Sequence, residues 1–238
     1  RRSVITQTTS KSVSKTCILL GDRSDIAQAL LPYLEADGWT VCGWHRGDEW
    51  GEVKRWPWNL FISCLGAVAP VGPWHEQFNS EAVGDCLDSN LTVPLAWLAR
   101  VWHLRAPGAA ACFMGGSNPQ RIMPGYLGYN TAKMALLKAV EQIDAESPDA
   151  KVFALGPGYV KTKIHAATLA ANWPNERIAR GDAGTPIERI WGCLQWCIQQ
   201  DKSAVGGRNL AASDPWDKPG LAERLLADQS LYKLRRVE

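Results

Sequence analysis

The sequence predicts an α/β fold, a doubly wound parallel sheet of about six strands in a single domain. Two observations predict it. Short apolar runs of strand length recur at Thr16–Leu20, Trp39–Gly43, Leu60–Leu65, Ala109–Met114, Lys151–Leu155 and Gly206–Leu210. Helix-patterned stretches separate most of them, the alternation expected of parallel strands joined by crossovers.

The elements follow in order. Arg1 to Lys15 is polar and basic without an apolar centre, so it reads as a flexible arm rather than a signal peptide. The domain proper spans residues 16–238. Thr16–Leu20 ends in Gly21, and a helical pattern runs from Ile26 through Leu34 to a stop at Gly38. Trp39–Gly43 is the second strand. Strand, glycine turn, helix and strand together open a dinucleotide-binding, Rossmann-like unit. In the turn Gly21-Asp-Arg-Ser-Asp25-Ile-Ala27, Asp25 and Ala27 stand where the usual second and third glycines would be. Ser24 and Asp25 are good N-cap residues, and an ordinary strand-to-helix turn remains the alternative. Arg46 follows the second strand where an acidic residue would take the ribose hydroxyls of NAD. With Arg23 it could instead pair with a 2′-phosphate, which favours NADP.

Gly47–Trp58 is too short for a crossover and a further parallel strand. Leu60–Leu65 is the next strand, and Ala67–Phe78 reads as a Pro/Gly loop. Ser80–His103 reads as one long helix with Val83, Leu87, Leu91, Leu95 and Leu98 on its apolar face and Pro94 as a kink. After Ala109–Met114 and the Gly115-Gly-Ser-Asn-Pro119 loop comes a helix from about Tyr129 to Glu146. Lys151–Leu155 runs into Gly156-Pro-Gly-Tyr-Val-Lys-Thr162. A weakly patterned stretch, Lys163–Gly184, precedes a helix over Pro186–Gln200. Gly206–Leu210 opens a short last strand, and the tail after Ser213 carries one more helix.

Composition excludes several classes. Lys plus Arg number 26 against 24 Asp plus Glu, a net charge of +2, which leaves no basic footprint for nucleic acid. No apolar run approaches the roughly 20 residues of a membrane span. The seven cysteines, at 17, 42, 64, 86, 112, 193 and 197, lack zinc-site spacing and read as the buried thiols of a cytoplasmic protein. Cys193, Cys197 and Trp196 read as helix packing. The twelve tryptophans read as core and interface packing.

The chemistry centres on Gly125-Tyr-Leu-Gly-Tyr129-Asn-Thr-Ala-Lys133. Tyr129 and Lys133, four apart, share one face of a helix. An ammonium beside a phenol lowers the phenol's pKa, so Tyr129 is expected to exchange protons near neutral pH.

Together these pieces make the chain resemble the short-chain dehydrogenase/reductase family over about Thr16–Leu210. The residues carrying the resemblance are Gly21-(x)3-Asp25-Ile26-Ala27, Cys64-Leu65-Gly66, Asn90 within Ser89-Asn90-Leu91, Tyr129-(x)3-Lys133 and Pro157-Gly158-(x)-Val160-(x)-Thr162. The resemblance implies an NADP-dependent oxidoreductase acting on a ketone or secondary alcohol, with NAD as the other candidate cofactor. It implies Tyr129 as general acid/base, Lys133 as the group that tunes it and holds the nicotinamide ribose, and Asn90 as a helix break that positions a relay water. Gly21, Arg23, Ser24, Asp25, Ile26 and Arg46 would lie along pyrophosphate and adenosine. Cys64, Leu65 and Gly66 would line the adenine-ribose side, and Pro157, Gly158, Val160 and Thr162 the nicotinamide amide. The family's catalytic serine stands 13 residues before the tyrosine, which is Gly116 here; Ser117 is one place off and is the candidate hydroxyl. The short Gly47–Trp58 segment implies loss of the family's third strand and its neighbouring helix, six strands instead of seven, and a more open adenine edge.

Asp214-Pro-Trp216-Asp217 and the Leu231–Arg236 ending resemble members of the family found among bacterial surface-polysaccharide genes, which implies a sugar or nucleotide-sugar substrate. Trp173, His165, Arg177 and Arg180 lie in the stretch where the family holds its substrate lid. They would suit a phosphorylated or sugar ligand, although solvated loop charges are the simpler reading. Family members form homodimers or homotetramers through helices corresponding to Ser80–His103 and Tyr129–Glu146, with Trp97 and Trp102 suited to that interface. Two other readings remain: a non-catalytic NADP-binding sensor or scaffold, and an epimerase or dehydratase, for which the chain is short.

Overall fold

The computed structural model describes residues 15–45, 48, 57–78, 81–116 and 119–235. The N-terminal arm to residue 14, Arg46, most of the segment after it, and Ser117 lie outside the described residues. The strands are β1 Thr16–Leu20, β2 Thr40–Trp44, β3 Trp58–Ser63, β4 Arg105–Met114, β5 Lys151–Gly156 and β6 Asn209–Ala211. They form one sheet in the order β2-β1-β3-β4-β5-β6, with every pairing parallel. Six strands are therefore present among the described residues, as expected. Among the described residues β2 is an edge strand, and none of its residues is fully buried.

The helices are α1 Asp25–Ala36, α2 Trp74–Gln77, α3 Ala82–Leu87, α4 Val93–Val101, α5 Leu127–Ala145, α6 Ala166–Ala170, α7 Glu176–Ala179, α8 Ile187–Gln199, α9 Lys202–Val205 and α10 Leu221–Ala227. Strand side chains alternate between the two faces, as the period of two requires. Cys17, Leu19, Leu60, Ile62 and Cys112 pack with Leu30 and Leu34 of α1 and Cys193, Leu194 and Cys197 of α8. Ile18, Leu20, Phe61, Ala111 and Phe113 pack with Trp97 and Leu98 of α4 and Leu136 and Val140 of α5. Each large apolar side chain buried this way contributes about 1.5–3 kcal/mol. The cysteines are free thiols; all but Cys42 are buried. No helix among the described residues is long and apolar enough to cross a membrane.

Three sequence expectations change. The Ala67–Phe78 loop contains α2, a single turn too short to show periodicity. The long helix is divided by a π turn, Asp88–Thr92, closed by the Val93 N–H on the Asp88 carbonyl. Pro94 therefore falls in the first turn of α4, where its missing N–H is tolerated. Finally, Trp97 is 2 % exposed and packs on Trp44, so it belongs to the core and not to an interface.

The tail is held by a buried arginine. Arg208 donates from Nη2 to the Leu225 carbonyl at 2.6 Å and from Nη1 to the carbonyls of Asp228 and Leu231. These contacts satisfy carbonyls at the C-terminal end of α10, where cations are favoured.

Candidate active site

The order of strands reverses direction at β1: β2 lies on one side and β3 on the other. Such a switch point opens a crevice beyond the carboxyl ends of the strands. Gly21 ends β1 there with φ +79°, and a Cβ on it would stand 2.9 Å from the Leu65 backbone nitrogen. Only glycine fits this approach between the two strand ends. Ser24 caps α1 as predicted, its Oγ accepting from the Ala27 N–H at 3.2 Å.

A cavity of about 420 Å³ fills the crevice. Ser24, Asp25 and Ile26 line it from the turn and α1; Cys64, Leu65 and Gly66 from the end of β3; Pro157, Gly158 and Thr162 from the end of β5; and Tyr129 and Lys133 from α5. Most of the predicted cofactor residues thus converge on one hollow. Gly21 shapes its turn without lining it. Arg23 is exposed outside the wall, and Val160 packs against the core with its carbonyl on the His165 ring nitrogen at 3.1 Å. Asp25 does not leave a bare carboxylate at the glycine position. It accepts from the Lys163 backbone N–H at 2.7 Å and pairs with Lys163 Nζ at 3.4 Å. Lys163 also lines the cavity and was not singled out from the sequence, although it directly follows the Pro157–Thr162 motif.

Tyr129 and Lys133 sit in the first turns of α5. Lys133 is 4 % exposed; its Nζ donates to the Met114 carbonyl at 2.6 Å and lies 5.8 Å from the Tyr129 ring centroid. Burial holds the Lys133 ammonium down to about 8 and pushes the Tyr129 phenol up to about 12. The expected lowering of the phenol is therefore reversed. Desolvation is the largest cause of both shifts, because burial disfavours the charged form of each group.

Asn90 is fully buried in the π turn. Its Nδ2 donates to the Ala67 carbonyl at 2.6 Å and the Cys86 carbonyl at 2.8 Å, while Oδ1 has no partner. A Cβ on Gly66 would lie 3.2 Å from Asn90 Oδ1 and 3.8 Å from Lys133 Nζ, so both polar atoms border the same point behind Gly66. Pro94 has no N–H to return to the carbonyl four residues earlier, which is that of Asn90. The helix break expected at Asn90 is present. The residue stands behind the cavity wall, not on it.

A second cavity of about 310 Å³ adjoins the first and shares Val68, Gly116, Tyr129, Gly158 and Ile164 with it. Its outer wall includes Arg121, Ile122 and Met123 from the β4–α5 loop and His165, Asn175 and Arg177 from the segment after β5. That segment is anchored to the body. Tyr126 donates its hydroxyl to Thr168 Oγ1 at 3.0 Å, Asn175 Nδ2 donates to Tyr126 Oη at 3.2 Å, and Trp173 Nε1 donates to the Pro124 carbonyl at 2.9 Å. Of the four lid residues noted from sequence, only His165 and Arg177 reach the cavity. Arg180 is paired with Glu176 and Asp182. Among the described residues no cluster of metal-ligating side chains occurs.

No family model matches the sequence, and no curated protein matches it. Solved structures do resemble the fold. A small-chain dehydrogenase in complex with NADPH superposes with a TM-score of 0.69 at 15% identity, covering 83% of this chain and 96% of that one. A short-chain dehydrogenase/reductase from Saccharomyces cerevisiae, YIR035C, gives 0.68 at 15% identity over 88% and 98%. A 4-hydroxyisoleucine dehydrogenase complexed with NADH gives 0.63 at 15% identity over 83% and 96%. At these identities the likeness establishes a shared fold.

Proposed function

We propose that the chain is an NAD(P)-dependent oxidoreductase of the short-chain dehydrogenase/reductase family, acting on a ketone or secondary alcohol. The observation that carries this reading is the position of Tyr129, which forms part of both cavities, with Lys133 one helical turn further along. The larger hollow carries features that a dinucleotide requires. The turn at Gly21 admits close backbone approach, the N-terminus of α1 faces the crevice, and Lys163 offsets the charge of Asp25. The nicotinamide cofactor, when bound, supplies or accepts the hydride.

The protein's own part is proton handling and placement. Tyr129 Oη gives a proton to the carbonyl oxygen in reduction and takes it back from the alcohol in oxidation. A phenol that rests high, near 12, is in its acid form, suited to donation; a cationic Lys133 stabilises the phenolate left behind. The orphaned Oδ1 of Asn90, near Lys133 Nζ, leaves an acceptor for a water that returns the proton. Ser117 supplies a hydroxyl to the substrate oxygen. Arg46, with Arg23, selects NADP through its 2′-phosphate. Homo-oligomerisation through the outer faces of α4 and α5, with Trp102 at the edge, and a cytoplasmic setting belong to the same reading. So does a sugar-derived substrate, supported by the tail resemblance.

One observation favours a second reading, a cofactor-binding sensor: Gly116 occupies the position of the family's serine. Two experiments decide. Trp fluorescence titrations should show NADPH binding more tightly than NADH, with Arg46→Ala removing the preference. Tyr129→Phe should abolish turnover while leaving NADPH affinity intact. Failure of both nucleotides to bind would overturn the enzyme reading, and turnover surviving in Tyr129→Phe would overturn the role given to the phenol.

A further inference from the structure

The second cavity has a one-sided charge. Arg121 and Arg177 line it, and among the described residues no Asp or Glu does. Four other described arginines are matched with carboxylates, Arg105 with Asp149, Arg180 with Asp182, Arg189 with Asp217 and Arg235 with Glu141, while Arg208 is spent on backbone carbonyls. Arg121 and Arg177 have no carboxylate within ion-pair distance among the described residues. They come from different parts of the chain, the β4–α5 loop and α7, and meet at one hollow. His165 adds no charge near neutral pH, since burial holds its imidazole below the ordinary value. The rest of the wall is mainly apolar, with Val68, Ile122, Met123 and Ile164. The volume of about 310 Å³ lies at the small end of ligand pockets, about 300–1,000 Å³. It would leave much of a nucleotide-sugar outside.

We propose that the substrate is a small carbonyl compound, or its alcohol, bearing a carboxylate or phosphate, and that Arg121 and Arg177 hold this anion while the carbonyl reaches Tyr129. The inference rests on the oxidoreductase reading and names the substrate class of the same site. A guanidinium presents a planar fork matched to carboxylate and phosphate oxygens. Two such forks on a wall without a described acid give an anion preference, Asp182, which Arg177 helps to keep charged, standing outside that wall, and the apolar surface between them accommodates a short carbon skeleton.

The test uses the full chain loaded with NADPH. Binding of four probes is followed through nicotinamide fluorescence: 3-oxobutanoate against its methyl ester, and dihydroxyacetone phosphate against dihydroxyacetone. The first pair reads carboxylate recognition and the second phosphate recognition. At least one anion should bind about 10- to 100-fold more tightly than its neutral counterpart, the range of a charged hydrogen bond. Arg121→Gln and Arg177→Gln should each remove most of that difference without changing NADPH affinity. Arg180→Gln, already paired and outside the cavity wall, should leave it intact. Equal binding of anions and neutral counterparts, no binding of either anion, or an anion preference that survives both substitutions would overturn the proposal while leaving the oxidoreductase reading in place. Loss of NADPH binding in the wild type would overturn that reading, and this inference with it.

Discussion

A Cβ built on Gly116 would stand 3.8 Å from the phenolic oxygen of Tyr129. The backbone thus passes close to the phenol at the position that lacks a hydroxyl, and Ser117 is the next residue along. Ser117→Ala is expected to lower kcat by about 10²–10³, the usual loss for one preorganised donor. In the double variant Gly116→Ser/Ser117→Ala part of that loss should return. The recovery will be incomplete because residue 116 has φ +85°, a conformation that costs a side chain roughly 1–2 kcal/mol. Steady-state kinetics on the three proteins checks this; an unchanged kcat in Ser117→Ala removes Ser117 from the mechanism.

Lys133 links the site to pH. Its ammonium titrates at about 8 in the folded chain against an ordinary 10.5. Below about 8 the lysine is charged in both states and its burial opposes folding in full. Between about 8 and 10.5 the unfolded chain holds the proton that the folded chain has released, so stability rises with pH. The phenol of Tyr129 acts in the opposite sense above its ordinary 10, because the folded state keeps its proton to about 12. The stability gap between wild type and a variant lacking the lysine should therefore change between about pH 8 and 10, as the folded chain sheds this proton. Lys133→Met should raise neutral-pH stability by about 1–2 kcal/mol, the relief of burial less the lost bond to Met114. Thermal melts of both proteins across this range test the prediction, and a Lys133→Met variant less stable at neutral pH would contradict it.

Asn90 holds the cavity wall from behind. Its amide satisfies the carbonyls of Ala67 and Cys86, joining the loop after β3 to the π turn. Asn90→Ala leaves both carbonyls without this donor, at about 1–3 kcal/mol for each that stays buried. A lowered Tm should be accompanied by weaker NADPH binding, since Ala67 and Gly66 line the larger cavity. A melt unchanged within error would show that water replaces the amide without loss.

Trp173 closes the segment after β5 by lying against Gly125, where an added Cβ would fall 2.1 Å from its indole nitrogen. Gly125→Ala must therefore displace the ring and break its hydrogen bond to Pro124. KM should rise several-fold, of the order of one lost hydrogen bond, with cofactor affinity unchanged. Proteolysis between residues 163 and 184 should accelerate. Unaltered kinetics and proteolysis would mean that this contact does not hold the segment.

Much of this was readable in local chemistry. The unbroken apolar runs Cys17–Leu20 and Leu60–Ile62 marked buried strands, and Gly21 followed by Ser24 marked a turn and a cap. Tyr129 and Lys133 had to share a helix face because the helical repeat places them there. Their pKa shifts were not readable, because the sign depended on how deeply α5 is buried against Met114. Periodicity did not show the π turn, because one inserted residue barely disturbs a regular apolar pattern and only the family resemblance implied a break at Asn90, and α2 and α7 are too short to leave a period.

The order of residues along the chain was therefore sufficient for the strands, the Gly21 turn and the Tyr129–Lys133 pair, because neighbours at fixed backbone spacing cannot avoid one another. Tertiary structure alone decided which charges remain unpaired. Arg180 finds Asp182 two residues away and is neutralised. Arg121 and Arg177 are remote in sequence, and only the folding of two loops over the ends of β4 and β5 brings them to one cavity. Electrostatics depends on distance through space and on local burial, and neither is written in linear spacing.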